Sequence, residues 1–128
     1  MDNIYDFIRD RIPKLRARNS NCVGTALYLI GETDSDKYLS RKESRKLISK
    51  MERAIKPELG YLALWASDGV PFHAGVILMD NPFYIVHRNE KNGLLTKERL
   101  DTFSDYIFKN VGLKPIYRVP NKLSEETK

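Results

Sequence analysis

The spacing of apolar residues changes character near the middle of the chain, and that change limits the fold more than any other feature of the sequence. In the first half, Ile4, Phe7, Ile8 and Ile12 recur at intervals of one face of an amphipathic helix. That helix is expected over Asp2 to Ile12, with Asp2 available as a cap and Pro13 limiting the far end. A polar, basic connection from Arg16 to Asn21 leads into Cys22 to Ile30, a dense run of apolar and small residues ended by Gly31. Gly24, Thr25 and Ala26 suit close packing, while Leu27, Leu29 and Ile30 spread apolar surface around the circumference. The run reads as a buried helix, with a strand as its rival. Beyond an acidic, turn-rich loop from Glu32 to Lys37, the residues Leu47, Ile48, Met51 and Ile55 mark an amphipathic helix from about Ser40 to Ile55, stopped before Pro57.

After Pro57 the period shortens. Tyr61 to Ala66, Ala74 to Met79 and Phe83 to Val86 are short apolar or aromatic runs separated by Ser67-Asp68-Gly69 and Asp80-Asn81-Pro82. Such runs predict an antiparallel meander. Past a turn at Asn89 to Gly93, the residues Leu100, Phe103, Ile107 and Val111 signal a further helix ended by Gly112. Ile116 to Val119 adds a last strand, and residues 120–128 read as a polar, flexible tail. Helices first and sheet after is the order of an α+β protein, with its N-terminal helices packed on one side of a small antiparallel β-sheet. The length of 128 residues suits a single domain with one core, of which residues 1–18 are the first helix and its connection.

Met1 to Asn19 holds no apolar run of the roughly 7–15 residues a secretory signal needs. No segment approaches the ~20 of a membrane helix. The expectation is a cytoplasmic protein, or one exported by a non-classical route. Lys and Arg outnumber Asp and Glu by 22 to 17, which could draw an acidic polymer or lipid surface. Because many of the basic residues between Lys37 and Lys56 alternate with Ser and Glu, a solvated helix face accounts for them, and nucleic acid is not the expected partner.

The chain has one cysteine, so its thiol has no internal disulfide to enter. Cys22 follows Asn19, Ser20 and Asn21, all helix-capping types, which places its sulfur in a first turn where backbone N–H groups and the helix dipole favour negative charge. A thiolate is stabilised there, and the same N–H groups suit an oxyanion. The plain alternative is a small buried hydrophobe. Both histidines fall in the strand region. His73 opens Ala74-Gly75-Val76-Ile77-Leu78, and His87 closes Tyr84-Ile85-Val86. Each lies seven positions from Asp80, so pairing centred on that turn brings the imidazoles to neighbouring places, one as base and one as orienter. One Cys and two His also fit an open zinc site, although no short paired-ligand spacing supports it. Asn89, Asn92, Asp80 and Asn81 read as turn formers. Trp65, Tyr61 and Tyr28 read as packing residues.

Asn21-Cys22-Val23-Gly24, Gly60-Tyr61-Leu62-Ala63-Leu64-Trp65, His73-Ala74-Gly75-Val76-Ile77-Leu78 and Tyr84-Ile85-Val86-His87 together resemble the ordered blocks of the NlpC/P60 superfamily of papain-like cysteine peptidases. The likeness spans about Asn19 to Leu100 and follows the unpermuted order, cysteine before histidine. Asn21 and Val23 flank Cys22 where many members carry Asp and Ser, and Gly60-Tyr61 stands where Gly-Asp is usual. The resemblance implies a papain-like fold and a Cys22, His73, His87 triad acting without a cofactor. It further implies hydrolysis of an amide bond, in a peptidoglycan stem peptide or a related acyl substrate, with acyl transfer as a related activity. Other readings are a non-catalytic binding module of the same fold for an anionic glycan, lipid or nucleic acid, or a protein whose cleft is filled by a partner chain.

Overall fold

The first run of helical spacing forms α1 (Asn3–Arg11), whose Ile4 and Ile8 are buried, and Pro13 sits in a short 3-10 turn, Ile12–Lys14. The computed structural model describes residues 3–15, 20–79, 81–89 and 91–126. The roles expected of Asp2, Asn19 and Asp80, residues 16–18 of the basic connection and the last two residues of the tail lie outside these.

The apolar run is helical: α2 (Cys22–Leu29) is buried at every residue, which is why its sequence shows no polar face. Asn21 caps it. Its Oδ1 accepts from Gly24 N–H at 2.9 Å and from Leu39 N–H at 3.3 Å, and its Nδ2 donates to the Leu39 carbonyl at 3.0 Å. One amide group therefore closes the helix N-terminus and fastens the loop that follows the helix. Gly24 is required by that loop, because a Cβ at this position would lie 1.9 Å from the Lys37 carbonyl oxygen.

Helix α3 (Arg41–Ser49) begins with a capping box between Ser40 and Glu43. The hydrogen bond from the Ser40 backbone holds the Glu43 carboxyl below its usual range. The helix expected to reach Ile55 stops at Ser49. Ile48 and Met51 are buried, and the next residues leave the helix as β1 (Glu52–Ala54), which pairs with β6 (Ile116–Val119). A partner more than sixty residues away supplies backbone bonds that local helix propensity cannot outweigh. Ile55 is left 95% exposed.

The meander appears as β2 (Leu62–Ser67), β3 (Val70–Leu78) and β4 (Tyr84–Arg88). It is extended by β5 (Leu95–Arg99), a strand the apolar pattern did not indicate. All six strands form one antiparallel sheet in the order β1-β6-β2-β3-β4-β5. After β5 comes α4 (Leu100–Val111), ended as expected at Gly112 in the left-handed region, φ 74°. The expected flexible tail is instead α5 (Asn121–Glu126). Asn121 donates to the Glu32 carboxylate from its backbone N–H at 2.9 Å and its Nδ2 at 2.8 Å, and Leu123 is buried.

Strand alternation sets the N-terminal helices on one side of the sheet, as expected, and α4 on the other. Leu62 and Leu64 of β2 join Ala74, Val76 and Leu78 of β3 in a cluster with α1, α2, Ile48 of α3 and Leu123 of α5. The intervening Ala63 and Trp65, with Ile77 and Ile85, face Leu100, Phe103 and Ile107 of α4 in a second cluster. Trp65 is wholly buried and Tyr28 nearly so, with the Arg11 guanidinium 3.9 Å from the Tyr28 ring centre. Asn89 and Asn92 make the expected turn bonds, each side-chain oxygen accepting a backbone N–H two residues on. Among the described residues no helix is long and apolar enough to cross a membrane.

A buried polar network ties the first layer to the sheet. Arg88, 4% exposed, donates from Nη2 to Asp36 at 2.9 Å, from Nε to Thr25 Oγ1 at 2.7 Å and from Nη1 to the Gly93 carbonyl at 2.8 Å. Thr25 in turn donates to Asp36 at 2.8 Å, and Ser20 also donates to it. Removing one member of such a pair leaves a charge stranded in a dry interior. Asp36→Ala should therefore lose about 3–5 kcal/mol of stability, a large share of what a domain of this size possesses. Urea unfolding of the variant checks this.

Candidate functional site

Cys22 is the first residue of α2, 6% exposed, and belongs to the same apolar cluster as Ala74, the residue after His73. The Asn21 cap orients the first turn, and the positive end of the helix dipole lies at the thiol-bearing residue.

The two histidines do meet. His73 Nε2 and His87 Nδ1 are 2.9 Å apart, with both residues buried and the rings nearly perpendicular at 81°. They come together by a register different from the one read in the sequence. β3 and β4 pair through Val76↔Val86, Ile77↔Ile85 and Leu78↔Tyr84, a ladder centred on position 81 and not on Asp80. Asn81, at φ 56°, takes the left-handed turn conformation that asparagine tolerates. Continued by one residue of alternation, this ladder sets Gly75 across from His87, so the imidazoles are diagonal neighbours on one face. Gly75 makes that diagonal contact feasible. A Cβ there would lie 2.5 Å from Ile85 Cδ1 and 3.0 Å from His87 Cβ.

The imidazole pair stands on the α4 side of the sheet. Trp65 is the register partner of His73, with ring centres 6.1 Å apart, and Phe103 of α4 packs against both histidines at 5.3 and 4.5 Å. These aromatic walls keep water from the hydrogen bond between the rings, where a low local dielectric strengthens it. Ala74, one residue along β3, points to the α2 side. The cysteine helix and the imidazoles thus approach the same strand from its two faces.

A third polar group completes the row. Glu98 Oε2 lies 2.7 Å from His87 Nε2, and its side chain is 38% exposed. In the β4–β5 register, His87 faces Thr96 and Ile85 faces Glu98, so Glu98 is again a diagonal neighbour on the same face. Glu98 is not legible in the sequence because Leu95–Arg99 is a charged stretch without the apolar pattern of a strand. The usable signal was the Asn89–Gly93 turn, since a hairpin closing there returns Glu98 to the side of His87. Among the described residues, His, Cys, Asp and Glu side chains nowhere gather in threes suited to holding a metal ion.

Compared with known proteins, the chain matches no family model and no curated protein.

Gly75→Ala is the direct test of how the imidazoles are brought together. The added methyl must displace Ile85 and His87, an overpacking cost of about 1–3 kcal/mol. The urea midpoint should fall accordingly, and the ring nitrogen resonances of His73 and His87 should shift as their hydrogen bond lengthens.

Proposed function

We propose that the chain is a cysteine hydrolase of the papain-like NlpC/P60 type, cleaving an amide bond in a peptidoglycan stem peptide or a related acyl substrate. The observation that carries this reading is the buried 2.9 Å contact between His73 and His87, on the strand against which a capped helix opening with Cys22 is packed. Base and orienter are held at hydrogen-bond distance, and the sequence holds a single thiol to serve as nucleophile.

In the proposed reaction His73 takes the proton from Cys22, and the sulfur attacks the carbonyl carbon. N–H groups of the first turn of α2 stabilise the oxyanion that forms. As the C–N bond breaks, His73 returns the proton to the leaving amine, and an acyl-thioester remains on Cys22. Water, giving its proton to His73, then attacks that carbonyl. The C–S bond breaks, and the proton on His73 passes to the departing sulfur, restoring the thiol. His87 keeps the His73 ring in place throughout. The reaction requires the Cys22 sulfur to come within hydrogen-bond reach of a His73 ring nitrogen.

Purified stem peptides are the first substrates to assay. Cys22→Ala should reduce amine release below detection, and His73→Ala should reduce it about 10²- to 10⁴-fold, the usual contribution of a positioned acid and base. Full turnover by Cys22→Ala would overturn the reading.

A further inference from the structure

His73, His87 and Glu98 occupy three adjacent strands, each diagonal to the next on the same face of the sheet, and are joined at 2.9 and 2.7 Å. The chemistry of the last group decides where hydrogen sits on the other two. An ionised carboxylate only accepts hydrogen bonds, so the hydrogen between Glu98 and His87 belongs to His87 Nε2. A neutral imidazole carries one ring hydrogen, which makes His87 Nδ1 an acceptor. The hydrogen between the two rings therefore belongs to His73 Nε2. It follows that the basic lone pair of His73 is at Nδ1.

We infer that Glu98 is a positioning residue that sets the tautomers of both imidazoles and so directs the basic nitrogen of His73 away from His87. This rests on the reading of His73 as the base toward Cys22. When His73 accepts a proton at Nδ1 it becomes an imidazolium, its Nε2–H still donates to His87, and the Glu98 carboxylate offsets the new positive charge through the intervening ring. No other proton need move. Glu98 itself touches neither thiol nor substrate in this scheme.

The partial exposure of Glu98 makes it replaceable without disturbing the core, and the side chains that replace it differ in what they offer His87. Glutamine presents either an acceptor or a donor, whereas lysine presents only donors. In ¹⁵N-labelled protein, long-range proton–nitrogen spectra of the wild type should show His73 unprotonated at Nδ1 and His87 protonated at Nε2. Glu98→Lys should reverse both rings, and Glu98→Gln should give an intermediate mixture. The rate of Cys22 alkylation by iodoacetamide at neutral pH should fall about tenfold in Glu98→Lys, because His73 no longer presents a lone pair at Nδ1 and the thiolate fraction drops.

Ring resonances in Glu98→Lys identical to those of the wild type would overturn the inference, and a merely structural Glu98 would lower the melting temperature while leaving the ring resonances in place. Reversed tautomers with an unchanged alkylation rate would instead sink the pairing of Cys22 with His73 and leave the tautomer assignment of Glu98 standing.

Discussion

Arg88 is the residue on which the arrangement turns. Its guanidinium reaches Thr25 in the middle of α2, Asp36 in the loop that follows that helix, and the Gly93 carbonyl in the turn before β5. A planar group with five donors in fixed directions can satisfy three such partners at once, and a lysine in its place could not reproduce that geometry. Burying a charge in this way stabilises only while every partner is present. The position of α2 along β4, and with it the position of Cys22, is thereby held by directional bonds and not by apolar contact alone.

Strand alternation then connects this anchor to the candidate site. Arg88 and His87 are consecutive on β4 and point to opposite faces. One face of the strand fixes the helix that opens with the cysteine, and the other carries the imidazole row. Gly75 on β3 and Gly24 on α2 serve the same end in different settings, since each omits a side chain where a neighbouring group must come close. Asn21 adds a local version of the same device, capping α2 while holding Leu39.

The sequence shows most clearly those elements whose partners lie close along the chain or whose burial is complete. The run from Cys22 to Leu29 is apolar on all sides because it is covered on all sides, and β2, β3 and β4 stand out because turns separate three apolar stretches. The elements that escaped notice share the opposite trait. Strand β1 is three residues long and polar, and it exists only through its bonds to β6. Strand β5 reads Leu-Thr-Lys-Glu-Arg, a charged sequence because it lies at the margin of the sheet. Helix α5 depends on Leu123 and on a bond between Asn121 and Glu32, 89 residues apart. For the same reason the histidine pair was legible from its spacing, though two residues off in register, while Glu98 was hidden with its strand.

The sheet margin has a further consequence for the imidazole row. His73 sits on an interior strand under Trp65 and Phe103, while Glu98 belongs to the outermost strand and is partly in contact with solvent. The row therefore crosses from a dry medium to a wet one over the length of two hydrogen bonds. Dissolved ions can screen the carboxylate end, with a Debye length of about 8 Å at physiological ionic strength, and reach the buried end far less. The chain of bonds thus acts as a conductor of polarisation with one terminal in water, and its influence on the innermost ring should answer to the salt around the protein as well as to the residues within it.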